Sequence, residues 1–162
     1  MAAAKSPTEF AQEEIKKTIQ EIDTIIKNIN LLMVDLGEFH DFILKKDVSG
    51  SGIILEMIAI LGDAKKLFDE QKKLYEELSG QIELKEPFTI GPSEGVAEAE
   101  KTLDYIRIKE NEIRAKKSAL RQKGIVLNHI ISMLQSRETM DETIKRIQAE
   151  LESLTEPKRE SE

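Results

Sequence analysis

Apolar residues in the first third of the chain fall on alternating steps of three and four. Ile15, Ile22, Ile25, Ile29, Leu32, Leu36, Phe39 and Ile43 form one such stripe. That spacing returns a side chain to the same side of an α-helix every turn or so and predicts a helix with a heptad seam. Ile19, Ile26 and Met33 widen the seam toward the broader face that a bundle core requires. "SPTE" supplies a start signal, with Ser6 as cap, Pro7 at the first helical position and Glu9 placed to complete a capping box. The helix is expected over about 7–46, ending at the turn-forming "DVSGSG".

A second helix is expected over about 52–80, with Ile54, Met57, Leu61, Ala64, Phe68, Tyr75 and Leu78 on its inner side. The stretch "LSGQIELKEPFTIGPSEG" reads as the longest irregular connection, with "FTI" a candidate for a short extended piece. The third helix is expected over about 94–135. Its inner side, Val96, Ala99, Leu103, Ile106, Ile113 and Leu120, is sparser until the strongly apolar "GIVLNHIISML".

Past that segment two readings compete. Thr139 and Glu142 have capping-box spacing and open a fourth helix over about 137–155. Met133, Met140, Ile144, Ile147, Leu151 and Leu154 hold one heptad phase across the same point, as a continuous helix would. The expected fold is all-α: an elongated antiparallel bundle of three long helices, with a C-terminal fourth helix or coiled-coil extension. Residues 1–155 are expected to form a single domain, and 156–162 a disordered polar tail.

Stacked as an antiparallel hairpin, the dense apolar segments of the three long helices arrive at one level. Leu36, Phe39, Ile54, Met57, Leu61, Leu127, Ile131 and Leu134 are the expected hub of the core. The hub accounts for "IILEMIAIL", a helix segment apolar nearly all round, by walling it with neighbours. The same stacking sets Gly37 opposite Gly62, as in a close crossing of backbones. It also sets Arg107 beside Asp69 and Glu70, Arg114 beside Asp63, and Arg121 beside Glu56.

Composition narrows the function classes. Charged residues make up 34% of the 162, aromatics 4%, and the net charge is −7. Such a balance belongs to helical bundles and is repelled by nucleic acid. The basic segment "RIKENEIRAKKSALRQKG" is the exception, but no aromatics are interleaved in it for base stacking. There is no cysteine, hence no disulfide or thiolate site. The opening residues lack the apolar stretch of a signal peptide, and no run approaches the ~18 apolar residues of a membrane span. A cytoplasmic location follows as the expectation.

Candidate chemistry is thin. His40 and His129 are the only histidines, and neither stands in Glu-x-x-His or His-Glu-x-x-His spacing. "SGSG" lacks the lysine of a phosphate-binding loop. The sequence therefore predicts no catalytic residue, no metal and no cofactor. It predicts a non-enzymatic scaffold, adaptor or assembly subunit acting through helix–helix contact. The candidate surface is Met140, Ile144, Ile147, Leu151 and Leu154, and the candidate partner is a second copy or another helical protein. The alternatives are a helical chaperone or pore-forming type of protein shielding "IILEMIAIL", and a signalling or metal-dependent domain using His40 and His129.

Overall fold

The heptad stripes become four helices in the computed structural model, which describes residues 7–46, 51–83, 94–134 and 140–155. They are α1 (Pro7–Lys45), α2 (Ser51–Glu83), α3 (Glu94–Met133) and α4 (Asp141–Thr155). The fold is an all-α helical bundle. Gly80, read as the start of the irregular connection, lies inside α2, which continues to Glu83. The Ser6 and Thr139 caps, the "FTI" piece and the C-terminal tail fall outside the described residues.

Packing resolves the chain into two compact units. The first comprises residues 1–24 and 66–113, the second 25–65 and 114–162. In the first unit, α1, α2 and α3 segments bury Ile15, Leu78 and Ile106 together. Ile19, Leu74, Tyr75, Ile82 and Ala99 pack against them. Two positions depart from the expected stripe. Leu103 is turned outward and Thr102 is buried in its place, its hydroxyl donating to the Glu98 carbonyl at 3.0 Å. Gln71 is likewise buried among the apolar positions of α2. Gln12 and Ser79 clasp α1 to α2: the Gln12 amide donates to the Ser79 carbonyl at 2.7 Å, and the Ser79 hydroxyl donates to the Gln12 side-chain oxygen.

The second unit holds the three dense apolar segments. Leu36, Phe39, Ile54, Met57, Leu61, Leu127 and Ile131 are all buried, and Leu134 is half-buried. Here α4 folds back and supplies a fourth wall, burying Ile144, Ile147 and Leu151. Its neighbours are identified by contacts on both sides. Arg146 pairs with Asp35 of α1, while Gln148 donates to Asn128 of α3 at 3.2 Å. Arg121 of α3 donates to the Thr155 carbonyl at 2.9 Å. Leu151 lies 3.8 Å from where a Cβ on Gly124 would stand.

Helix registers differ from those of the simple hairpin count. Gly62 does not meet Gly37: a Cβ on Gly62 would meet the Met33 methyl at 4.0 Å, and one on Gly37 would meet nothing within 4 Å. No close backbone crossing exists there. Nor is "IILEMIAIL" walled on every side, because Leu55 and Ala59 are exposed.

Lysines, not arginines, pair α3 with α2. In the first unit Lys109 meets Glu70 at 2.5 Å. In the second, Lys116 meets Asp63 at 3.4 Å and Lys123 meets Glu56 at 2.8 Å. Within the second unit the seven-residue step from Lys116 to Lys123 is answered by a seven-residue step backward from Asp63 to Glu56, the signature of antiparallel heptads in register. Each of these lysines follows three residues after a buried apolar residue, Ile106, Ile113 or Leu120. Stems lying on the seam with heads at its rim explain why the apolar stripe of α3 looked sparse. Arg107 instead pairs with Asp104 on its own helix at 3.1 Å, and Arg114 is exposed.

Candidate functional site

An inward stripe on a helix leaves an outward one, and on α1 of the second unit that outward stripe is partly apolar. Ile29, Leu32, Leu36, Phe39 and Ile43 fill the core, while Leu31 and Val34 remain 51% and 60% exposed. Three residues apart, these two side chains are neighbours on one helical face. A second outward apolar face lies on α3. Ile125, His129 and Met133 succeed one another at four-residue steps with Val126 beside them, and all four are exposed. Met133 is 76% exposed. Leu44 and Leu55 add single exposed apolar residues on α1 and α2 of the same unit.

Singly exposed apolar residues are ordinary, but outward pairs at helical spacing on a unit whose core is already filled are the feature of interest. The first unit has exposed Phe10, Leu103, Tyr105 and Ile108. A shallow groove there is lined by Gln12, Ile15, Lys16, Ile19 and Ser79. Gln12 and Ser79 in its lining are hydrogen-bonded to each other.

The sequence-derived interaction seam lies elsewhere in the fold. Ile144, Ile147 and Leu151 are buried against the chain's own helices, and Met140 and Leu154 are half-buried. The stripe that needed a partner helix finds one within the same chain. α3 ends at Met133 and α4 begins at Asp141, and α4 packs along α1 and α3.

The ionisable groups are arranged as pairs. Arg146 donates Nε and Nη2 to the two carboxylate oxygens of Asp35, each at 3.2 Å, and Nη2 also to the Thr143 hydroxyl at 3.2 Å. The Asp35 bonds hold the guanidinium charged, raising its pKa above the ordinary value. Lys109 raises its own pKa by donating to Glu70, and the same hydrogen bond lowers that of Glu70. Lys72 is raised by its hydrogen bond to Asp23, 2.7 Å away. Burial raises the Tyr75 phenol, and the Glu110 charge adds to this.

His40 is largely covered, with Nδ1 3.8 Å from the Asp41 carboxylate, while His129 is exposed on the outward face of α3. Among the described residues, no group of three or more His, Asp or Glu side chains is placed to hold a metal ion. No helix there is long and apolar enough to cross a membrane. Compared with protein-family models, curated proteins and solved structures, the chain matches none.

The outward faces had a sequence signal that heptad reading passes over. Once the inner stripe is assigned, Leu31, Val34, Ile125 and Val126 are among the large apolar residues left over. Their excess is visible in "NLLMVDL" and "GIVLNHI".

Proposed function

We propose that this protein is a non-enzymatic helical scaffold or assembly subunit, and that its contacts with protein partners are made by the outward apolar faces of the second unit. One observation supports this reading above the others: Leu31 and Val34 on α1, and Ile125, Val126 and Met133 on α3, are exposed although the core beneath them is filled. Exposed apolar side chains gain free energy when a partner removes them from water, at roughly 25 cal/mol per Å². A rigid helix presents them without further ordering, which lowers the entropic cost of association.

The test places a photoreactive amino acid at Val34 or Val126, with exposed Glu77 in the first unit as control, in the intact chain inside cells. The reading expects protein adducts at Val34 or Val126 that are weak or missing at Glu77. The adducts should disappear when a neighbouring apolar residue on the same face becomes aspartate. Equal labelling at all three positions, or none at any, would overturn it.

A further inference from the structure

We infer that the outward face of α1 is a self-docking surface, whose occupant is the same face of a second copy of this chain in antiparallel orientation. This rests on the contact-making reading above and names the partner. The face is the stripe Lys27, Leu31, Val34, Glu38 and Asp41, spaced by four, three, four and three residues, and every member is exposed. It is a second heptad stripe on α1, facing away from the buried one.

The order of its charges identifies the occupant. One positive residue, Lys27, stands at one end, two negative residues, Glu38 and Asp41, at the other, and the apolar pair lies between. Among the described residues, neither Lys27 nor Glu38 is within ion-pair distance of an opposite charge in its own chain. Arg146 lies close enough to feel Glu38, but its Nε and Nη2 donate to Asp35 and Thr143. A parallel second copy would set Lys27 against Lys27 and Glu38 against Glu38. An antiparallel copy, related by a two-fold axis level with the midpoint between residues 32 and 33, sets Lys27 against the partner's Glu38. It sets Leu31 against the partner's Val34. The symmetry repeats both contacts, so each charge match counts twice.

Two apolar residues per copy make a small interface, below the ~1,200 Å² of stable complexes, so the association is weak and depends on concentration. The charges at its ends set register and orientation more than strength. Salt is therefore expected to weaken it.

Charge exchange in the purified full chain tests this. Wild type, Lys27→Glu, Glu38→Lys and the double variant are compared by sedimentation velocity across a concentration series, with circular dichroism to establish that each is folded. Each single change turns two attractive contacts into repulsive ones and should weaken dimerisation by about tenfold or more, equivalent to ~1.4 kcal/mol. The double variant restores opposite charges across the axis and should recover wild-type association. Because the chain has no cysteine, Leu31→Cys and Val34→Cys provide a second measurement. Mixed and oxidised, they should form the 31–34 disulfide in preference to 31–31 or 34–34. A chain that stays monomeric to millimolar concentration, a double variant no better than the singles, or no preference for the 31–34 crosslink would overturn self-docking. Photoadducts at Val34 to a different protein would then leave the scaffold reading standing without it.

Discussion

Arg146 on α4 grips Asp35 on α1 with both ends of a guanidinium fork, Nε to Oδ2 and Nη2 to Oδ1, each at 3.2 Å. Asp35 is buried, so its carboxylate depends on this partner for compensation, while Arg146 Nη2 donates also to the Thr143 hydroxyl. Arg146→Gln should lower the urea midpoint. Replacing Asp35 by Asn in the same molecule should recover part of that loss, because no uncompensated charge is then left inside. A double-mutant cycle measures this, and strict additivity of the two changes would contradict the pairing.

The fold-back of α4 carries its own expectation. Ile147 is fully buried, so Ile147→Ala should cost about 2–5 kcal/mol, the range for buried aliphatic truncations. Ile147→Asp with Leu151→Asp should unfold the second unit. If α4 were instead a projecting arm, the double aspartate would leave helicity and the thermal melt unchanged, which far-ultraviolet circular dichroism would detect.

Two helix-interior glycines should be improvable. Nothing lies within 4 Å of a Cβ on Gly37, and Gly62 would make only an ordinary contact with the Met33 methyl. Gly37→Ala and Gly62→Ala should each stabilise by about 0.5–1 kcal/mol, by restricting the unfolded chain. Destabilisation by either would restore the close crossing that glycine spacing alone implied.

The Lys109–Glu70 pair predicts a pH dependence with two limbs. The hydrogen bond from Lys109 lowers the Glu70 pKa, so this contribution is complete above the ordinary carboxylate range and is lost as pH falls through the lowered value. The bond to Glu70 raises the Lys109 pKa. That contribution is complete below the ordinary lysine value and is lost as pH rises through the raised one. Both groups are near the surface, so the pair contributes less than about 1 kcal/mol and fades with salt. Glu70→Gln should flatten both limbs in urea titrations at several pH values. Unchanged limbs would show that other pairs produce them.

Much of the fold was legible because heptad periodicity reports burial directly. Every position of the α1 heptad stripe from Ile15 to Ile43 is buried except Ile25, which is half-buried like the flanking Ile19, Ile26 and Met33. Register was less legible, since counting residues across a turn requires the turn's geometry. Gly62 met Met33 rather than Gly37, one helical turn away, and the α2 acids met lysines two residues beyond Arg107, Arg114 and Arg121. The α4 seam stayed open between two readings for a different reason. Heptad phase is the same whether a helix continues or breaks and returns, and the burial of Ile144, Ile147 and Leu151 against the chain's own helices separates the two. Candidate contact residues were hidden in plain view, because assigning Leu32 and Leu36 to the core left Leu31 and Val34 without a role.

The proposed function requires the apolar face formed by Leu31 and Val34 to be spare, contributing to contacts between molecules and not to the fold. The most direct measurement is the urea unfolding midpoint of Leu31→Asp with Val34→Asp, against wild type, at a concentration where wild type is monomeric. A free-energy change within about 0.5 kcal/mol per site is expected, as for surface substitutions generally. A loss of several kcal/mol, like that expected for Ile147→Ala, would place both side chains in the core and remove the surface on which the proposed function rests.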